Sequence, residues 1–341
     1  MTHTLTKPID KLNRPLRDLR ISIVDKCNFR CPHCMPAEIF GADYNFLSKA
    51  ELLSADEIVR LARLFVDLGV TKLRITGGEP LVRPDVVEIV QRLAAISGVD
   101  DLALTTNGYY LPRYAQALKD AGLHRLTVSL DSLDDEAFMK MNGRKSTVSH
   151  ILEGIAAATA AGFHQPKINC VVKKGINDHT IVDLARHFKG SGHILRFIEY
   201  MDVGNLNGWK LDDVVTADEI VSMIDAEMPL APAAPNYVGE VATRYQFVDG
   251  EGEIGVISSV TKPFCGDCSR ARLSSAGEYY TCLFAIRGKD LRTPLRSGAS
   301  DAEMLDLIGG VWHKRTDRYS ELRTSFTRPP AKGAEMYRLG G

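Results

Sequence analysis

Short segments in which apolar and polar residues alternate recur through the N-terminal part of the chain. In the first of them, Leu19, Ile21 and Ile23 alternate with polar side chains. Alternation with a period of two residues is typical of a β-strand that packs one face on a hydrophobic core. The pattern predicts six strands, at Leu19–Asp25, Lys72–Thr76, Leu102–Thr106, Arg125–Leu130, Lys167–Val172 and Ile194–Glu199.

Helical periodicity separates most of these strands. The clearest helix begins after Ser54, which forms a capping-box pattern with Glu57, and it ends at Gly69. Further helices are predicted at Pro84–Ile96, Pro112–Ala121, Val148–Ala161 and His179–Phe188. Alternating strands and helices predict an α/β protein with a parallel sheet, and six such units form either an incomplete barrel or an open sheet.

The polar residues of the predicted strands share one face of the sheet. Helices cover the outside of a βα barrel, so the apolar strand faces point outward and the polar faces point inward. A closed eight-stranded barrel fills its interior with branched apolar side chains. A polar and partly cationic interior therefore favours a wider, open barrel around a polar ligand, whereas a sheet with one solvated face fits the periodicity equally well.

The C-terminal third has a different pattern. Thr216 and Glu219 predict the start of a short helix, and strands are predicted around Arg244–Val248 and Glu253–Ile257. A linker is predicted at three closely spaced prolines, Pro229, Pro232 and Pro235. From Lys262 onward, Lys and Arg outnumber Asp and Glu, so an anionic ligand is expected to bind near this end of the chain.

Composition excludes several classes of protein. The 341 residues are 45% hydrophobic and 25% charged, as in an ordinary globular protein, and the net charge of -1 lacks the basic footprint of a general nucleic-acid binder. The longest weakly polar stretch, Ile151–Phe163, is far short of the roughly 20 apolar residues that span a bilayer, so no membrane association is predicted. Residues 1–20 carry frequent charges and no apolar core; no secretory signal is predicted, and a cytoplasmic location is expected.

Three of the seven cysteines lie directly after the first predicted strand. Cys27, Cys31 and Cys34 have the spacing C-x3-C-x2-C, and in a reducing compartment such a group indicates metal or redox chemistry. A zinc site needs a fourth ligand, and His33 is adjacent to Cys34, which makes it a poor one. Three cysteines suit a [4Fe–4S] cluster whose fourth iron stays open to a small molecule.

A second group, Cys265, Cys268 and Cys282, has the spacing C-x2-C-x13-C. Structural zinc with a fourth ligand from elsewhere is the alternative here. Because both groups lack a fourth cysteine, two open [4Fe–4S] clusters are favoured. The seventh cysteine, Cys170, lies on the apolar face of its strand and is interpreted as a small buried hydrophobe.

These residues resemble the radical S-adenosylmethionine (SAM) superfamily, which carries C-x3-C-x2-C after its first strand and Gly-Gly-Glu-Pro after its second, here Gly77–Pro80. The resemblance narrows to the GTP 3′,8-cyclase family, also called molybdenum cofactor biosynthesis protein A, and it covers the chain from about Arg14 to Gly341. It is carried by RPLRDLRISIVDKCNFRC, LRITGGEPLVR, TTNG, RFIEYMDVGNLNGW and SSVTKPFCGDCSRARLSS. One departure is His33, where the family usually has an aromatic residue, often Tyr.

The resemblance implies a partial, open (β/α)6 TIM-like barrel with a C-terminal extension. Residues 1–215 would form the barrel with the SAM cluster, and residues 216–341 would carry an auxiliary cluster and close the barrel mouth. The implied enzyme is a lyase that uses two [4Fe–4S] clusters and SAM. A 5′-deoxyadenosyl radical abstracts the ribose 3′ hydrogen of GTP, and the product is 3′,8-cyclo-7,8-dihydro-GTP, in the first step of molybdenum cofactor biosynthesis.

Candidate binding residues come partly from charge and partly from the resemblance. GTP carries about four negative charges, so inward cations on several elements are expected to bind it. The predicted GTP site comprises Arg20, Arg74, Thr105, Lys167, Arg270, Ala271 and Arg272. The predicted SAM site comprises His33, Gly77, Gly78, Glu79, Ser129 and Met201. Glu79 suits the SAM ammonium, and the resemblance implies that Gly340 and Gly341 reach back to the substrate; no catalytic residue is identified.

Partners and rival functions complete the expectations. The resemblance implies GTP as substrate, a one-electron reductant and transfer of product to the next enzyme of the pathway; a homodimer is a further expectation. One alternative is a radical SAM enzyme that modifies a peptide or another small molecule. Another is a non-catalytic regulator that binds zinc or an iron–sulfur cluster, which iron and sulfide analysis with a SAM-cleavage assay would distinguish.

Overall fold

A single twelve-stranded sheet organises the residues that the computed structural model describes, which are 7–144, 146–203, 208–323 and 334–339. Its strands are β1 (Asp18–Ser22), β2 (Lys72–Thr76), β3 (Asp101–Thr106), β4 (Arg125–Ser129), β5 (Lys167–Val172), β6 (Ile194–Glu199), β7 (Leu230–Ala233), β8 (Thr243–Phe247), β9 (Glu253–Ile257), β10 (Arg270–Leu273), β11 (Glu278–Tyr280) and β12 (Lys289–Asp290). The helices are α1 (Ala55–Asp67), α2 (Val86–Ala94), α3 (Leu111–Asp120), α4 (Asp135–Asn142), α5 (Val148–Ala160), α6 (Ile181–Phe188), α7 (Ala217–Asp225), α8 (Arg292–Arg296), α9 (Asp301–His313), α10 (Tyr319–Leu322) and α11 (Met336–Leu339).

The strand order confirms the predicted open α/β architecture. Across the sheet the order is β12-β11-β10-β1-β2-β3-β4-β5-β6-β9-β8-β7, with both ends open. The strands from β10 to β9 in this order run parallel, and the outer strands are antiparallel. The six predicted barrel strands are therefore extended on both sides by strands from the C-terminal part of the chain.

Local sequence signals explain most of the elements. Ser54 and Glu57 form the predicted capping box at the start of α1, and its buried stripe includes Ile58, Leu61 and Phe65. The six predicted strands occur within a few residues of their expected bounds. Apolar strand residues pack against the helices in one continuous core, so the polar strand residues lie on the opposite face.

Several elements were not predicted from the sequence, among them β7, β11, β12, α4 and α8–α11. The helix α4 was not predicted; it begins after Asp134, whose side chain accepts a hydrogen bond from the backbone N–H of Ala137. The predicted proline linker contains β7, in which Pro232 pairs with Tyr245. Proline lacks an N–H donor, and β7 tolerates it because it is an edge strand.

The polar face of the sheet encloses one cavity. Residues of strands from β10 through β1 to β9 line it together, which requires the sheet to curve around it. The empty space between its walls, counted together with its open mouth, is about 2060 Å³. Within the described ranges, no helix is long and apolar enough to cross a bilayer.

Candidate active site

The cavity brings most of the predicted site residues together. Both cysteine groups line it, as do all six predicted SAM residues and five of the seven predicted GTP residues. Lys167 and Ala271 do not line it. Ala271 is fully buried on the core side of β10, and Lys167 lies at the start of β5.

The loop with the first cysteine group is held by close backbone packing. The Gly78 N–H donates to the Val24 carbonyl at 2.7 Å, and the Glu79 N–H donates to the Lys26 carbonyl at 2.8 Å. A Cβ on Gly78 would lie 2.2 Å from the Lys26 oxygen, so only glycine fits there. Arg30 also stabilises this loop, because its Nη1 donates a hydrogen bond to the Cys27 carbonyl at 2.7 Å.

Glu79 presents a buried carboxylate to the cavity. Its Oε1 accepts hydrogen bonds from Leu81 N at 3.0 Å and Thr106 Oγ1 at 2.7 Å, and its Oε2 accepts one from Asn107 N at 2.8 Å. Burial raises the pKa of Glu79 to about 7, although these hydrogen bonds oppose the rise. A ligand cation would stabilise the ionised form, and Oε2 retains capacity to accept another hydrogen bond.

The remaining predicted SAM residues surround the first cysteine group. Ser129, at the end of β4, and Met201 both line the cavity. His33 lines it as well, and burial together with the charge of Lys173 lowers the pKa of His33 to about 4. Its imidazole is therefore neutral at pH 7 and presents a flat, uncharged ring to a ligand.

Two arginines, one of them buried, contact the second cysteine group. Arg270 Nη2 and Arg315 Nη2 donate to Cys268 Sγ at 3.4 and 3.2 Å. Burial opposes ionisation of this thiol, but the charges of the two arginines outweigh it and lower the pKa of Cys268 to about 6. Burial raises the pKa of Cys282 to about 11.

The donor chemistry of both groups fits iron–sulfur clusters. Burial raises the pKa of Cys27 to about 12 and that of Cys31 well above its ordinary value, so these thiols need a bound cation to become thiolates. Among the described residues, no three Cys, His, Asp or Glu side chains are grouped to hold a single metal ion. Each cysteine group supplies three thiol sulfurs, the number that ligates a [4Fe–4S] cluster with one open iron.

The inner face of the sheet carries guanidinium groups without full hydrogen bonding. The buried Nε atoms of Arg20 and Arg74 and Nη2 of Arg196 have no hydrogen-bond partner, and neither does the Thr105 hydroxyl. Burial, together with the charges of Arg272 and Arg74, lowers the pKa of Arg20 well below its ordinary value. A cation cluster of this kind is stabilised when an anionic ligand binds to it.

The chain returns to the cavity near its C-terminus. Leu339 is fully buried, and its carbonyl accepts a hydrogen bond from Arg272 Nη1 at 3.0 Å. Tyr337 packs against Phe40 and hydrogen-bonds Tyr44 through the two hydroxyls at 3.0 Å. The predicted active-site glycines, Gly340 and Gly341, lie outside the described residues.

Two of the arginines that line the cavity were missed by the sequence analysis. Arg196 lies on β6 at a polar position of the period-two pattern, the same signal that identified Arg20 and Arg74, so it could have been found. Arg315 follows α9 in a loop, and its contact with Cys268 depends on tertiary structure alone.

Comparison with known proteins identifies the family. Residues 21–188 match the model of the radical SAM superfamily, and residues 193–321 match that of Molybdenum Cofactor Synthesis C. The chain is 52% identical over 324 residues to a GTP 3′,8-cyclase of Acidothermus cellulolyticus, with 94% of this chain and 90% of the relative covered. The chain belongs to the GTP 3′,8-cyclase family.

Other family members and a solved structure agree. A GTP 3′,8-cyclase of Xanthomonas axonopodis pv. citri is 50% identical, with 99% of this chain and all of the relative covered. The crystal structure of Streptococcus suis SuiB bound to S-adenosylmethionine aligns with a TM-score of 0.60 at 16% identity, covering 80% of this chain and 62% of that one. This likeness shows the shared fold. As a radical SAM protein, the family member described here uses SAM and a [4Fe–4S] cluster.

Proposed function

We propose that the protein converts GTP to 3′,8-cyclo-7,8-dihydro-GTP, the first step of molybdenum cofactor biosynthesis. The observation that carries the proposal is one cavity lined by two cysteine groups and by incompletely hydrogen-bonded guanidiniums. The cysteine groups suit radical chemistry, and the guanidiniums suit a polyanionic substrate. The full-length similarity to GTP 3′,8-cyclases supports the same reaction.

We assign the SAM cluster to Cys27, Cys31 and Cys34. SAM and this cluster, once reduced by one electron, supply the 5′-deoxyadenosyl radical that abstracts the ribose 3′ hydrogen. The Glu79 carboxylate pairs with the SAM ammonium, because a desolvated charge needs a partner. His33, Ser129 and Met201 complete the SAM site with the backbone of Gly77 and Gly78.

We assign a second [4Fe–4S] cluster to Cys265, Cys268 and Cys282. The two arginines that contact Cys268 and lower its pKa support ligation by a thiolate in this part of the cavity. With three cysteine ligands, such a cluster would leave one iron free to bind the guanine base.

The triphosphate of GTP binds to the cationic side chains on the inner face of the sheet. Arg20, Arg74, Arg270 and Arg272 converge there from three neighbouring strands, and Arg196 faces them from the other side of the cavity. Thr105 has an unpaired buried hydroxyl to offer the nucleotide. Lys167 contributes positive charge near Arg196, and Ala271 holds Arg270 and Arg272 on the cavity face of β10.

The protein orients the nucleotide and excludes water from the reaction. Reacting carbons must be held close together, and a dry cavity protects a radical from side reactions. The burial of Tyr337 and Leu339 supports a role for Gly340 and Gly341 at the cavity mouth. Residues 1–215 form the barrel that holds the SAM cluster, and residues 216–341 carry the auxiliary cluster and close that mouth.

The setting of the reaction is also proposed. We expect a cytoplasmic enzyme that takes electrons from a one-electron reductant and passes its product to the next enzyme of the pathway. A homodimer is the expected oligomeric state.

The deciding experiment is anaerobic turnover with GTP, SAM and a chemical reductant. We expect 5′-deoxyadenosine and a cyclised nucleotide with the mass of GTP, and no product with ATP in place of GTP. Metal analysis should give about eight irons per chain, and Cys265→Ser should remove roughly half of them. SAM cleavage without cyclised nucleotide would contradict the proposed reaction, and stoichiometric zinc without iron would contradict both clusters.

A further inference from the structure

Two buried arginines, Arg14 and Arg315, hold the backbone of the second cysteine group. Arg14 Nη1 donates to the Cys265 carbonyl at 2.7 Å, and Arg315 Nη1 donates to the Cys268 carbonyl at 2.6 Å. One carboxylate, that of Asp10, lies between them, 2.7 Å from Arg14 Nε and 3.3 Å from Arg315 Nη1. All three side chains are almost completely buried.

The two arginines differ in one contact. Arg315 Nη2 also donates to Cys268 Sγ at 3.2 Å, whereas the hydrogen bonds of Arg14 reach oxygen atoms. The Arg315 guanidinium lies over the Trp312 ring, 4.5 Å from its centroid, which fixes the plane of its donors. Arg315 is therefore held in contact with Cys268. Arg14 is a suitable comparison for it, because Arg14 is also buried and also binds a backbone carbonyl of the cysteine group, but does not contact a sulfur atom.

The positive charge near Cys268 Sγ is only partly balanced by nearby carboxylates. Asp10 neutralises one of the two buried arginines, and Asp317 contacts Arg315 Nε at 3.4 Å from a partly exposed position. Hydrogen bonds and positive charge at a ligating sulfur withdraw electron density and favour the reduced state of an iron–sulfur cluster. A buried guanidinium has this effect at full strength because little water screens it.

We infer that Arg315 is a positioning residue that fixes Cys268 and raises the reduction potential of the cluster bound there. The inference rests on the second cluster proposed above. It assigns to the loop after α9 a role in setting the redox behaviour of a site whose cysteines lie elsewhere in the chain. Arg14 and Asp10 fix the same loop mechanically, without contacting a sulfur atom.

The test is a redox titration of the anaerobically reconstituted full-length enzyme, followed by EPR spectroscopy. The signal of the auxiliary cluster is identified in a companion variant in which Cys27, Cys31 and Cys34 are serine. Arg315→Met keeps the packing of the stem and leaves Asp10 paired with Arg14, and it should make the midpoint potential of the auxiliary cluster more negative. The SAM cluster should keep the potential of the parent.

Two further variants separate a redox role from a structural one. Arg14→Met should lower thermal stability and shift the auxiliary potential less than Arg315→Met does. Arg315→Lys keeps the charge, so it should assemble the cluster even where Arg315→Met does not. Its potential should still lie below that of the parent, because one ammonium nitrogen replaces the two guanidinium nitrogens that contact Cys268 O and Sγ.

The outcomes distinguish the inference from the proposal beneath it. A parent enzyme with iron for only one cluster would contradict the second cluster. The parent enzyme can instead contain iron for both clusters while the potential of the auxiliary cluster is unchanged in Arg315→Lys, and unchanged in Arg315→Met if that variant assembles the cluster. This result would overturn the role of Arg315 and leave the second cluster standing. A larger shift in Arg14→Met than in Arg315→Met would also overturn it.

Discussion

Several arginine side chains on the inner face of the sheet place positive charges close together. Arg20 and Arg74 lie side by side on β1 and β2, and Arg272 flanks Arg20 on β10. Three guanidiniums in adjacent positions repel each other in the ligand-free protein. A bound anion relieves this repulsion. These arginines should therefore increase the affinity for the nucleotide and decrease the stability of the ligand-free protein.

Arg20→Met tests this opposition. The substitution removes a cation that contacts the proposed triphosphate, and loss of one such contact should weaken GTP binding by roughly 2–5 kcal/mol, at least thirtyfold. Thermal unfolding of the ligand-free protein should occur at the same or a slightly higher temperature, because repulsion among the remaining arginines falls. Unchanged GTP affinity would remove Arg20 from the site, and a large loss of stability would show that the residue serves the fold.

Lys167 provides a test that depends on pH. Burial, followed by the charges of Arg196, Arg125 and Arg74, lowers the pKa of Lys167 to about 8, below its ordinary value of 10.5. At pH 8.5 the amine is therefore largely neutral in the ligand-free enzyme, and a bound triphosphate would raise its pKa again. GTP binding at pH 8.5 should take up a proton, measured by calorimetry in buffers of different ionisation enthalpy.

The control for that measurement is Lys167→Met, which should abolish the uptake. At pH 6.5 the lysine is already protonated, so the parent should show little uptake from this group. The lowered pKa also affects the stability of the fold. Between pH 8 and 10.5 the unfolded chain binds the proton of Lys167 more tightly than the folded chain does, so the contribution of Lys167 to stability rises with pH. A lysine whose pKa is raised by an ion pair has the opposite effect. Equal binding enthalpies in all buffers at pH 8.5 would contradict a role for Lys167.

Residues in regular elements were predictable where local pattern decides their direction. Arg20, Arg74 and Thr105 line the cavity because period-two alternation places them on the inner face. The same reasoning, applied to β6, would have identified Arg196. It could not identify Arg315, because no local pattern specifies which distant carbonyl a loop arginine will contact.

At the scale of elements, the turn after β2 fixes the loop that carries the first cysteine group. Gly78→Ala would place a methyl group 2.2 Å from the Lys26 oxygen and 2.6 Å from the Lys26 carbonyl carbon, so the backbone beside Cys27 must move. We expect loss of about half of the iron, that of the SAM cluster, with the auxiliary cluster retained. Iron analysis and EPR of the reconstituted protein measure the result.

Gly310→Ala is the matched control for this substitution. Gly310 lies within α9, where a Cβ would meet nothing within 4 Å, so alanine should stabilise the protein by roughly 0.5–1 kcal/mol. Its iron content should equal that of the parent. Full iron in Gly78→Ala would mean that the Cys27 loop adapts, and the rigid packing described for it would then be wrong.

The elements also show where sequence-based prediction ends. Strands β1 to β6 were found because each repeats the same alternation and is separated from the next by a helix. The pairing of β9 with β6 and of β10 with β1 was not predicted, because strand pairing over long sequence separations leaves no local signal. The prolines near β7 suggested a linker, since an edge strand that tolerates proline has the same local composition.

At the scale of the whole molecule, the C-terminal segment returns to the N-terminal half of the barrel. The helix α11 packs next to β1, and Tyr337 joins Met35 and Phe40 in a small hydrophobic cluster beside the first cysteine group. The segment just before Gly340 is therefore anchored by its own contacts. Two further residues without side chains are suited to a crowded cavity mouth.

Deletion of Gly340 and Gly341 should consequently affect catalysis and leave folding intact. The anchoring contacts of Tyr337 and Leu339 remain, so thermal stability, iron content and SAM binding should equal those of the parent. Cyclised product should fall sharply in anaerobic turnover with GTP. Product formed at the rate of the parent would show that the two glycines have no role in the reaction.

The pairing of β1 with β10 also orders events during synthesis. Arg20 leaves the ribosome long before its sheet partner Arg272, because most of the sheet lies between them in the sequence. Until then, one edge of β1 exposes backbone donors and acceptors, close in sequence to the Cys27 loop. A chain that ends before Arg272 lacks this partner, so the strand leading to its first cysteine group remains a template for association with other chains.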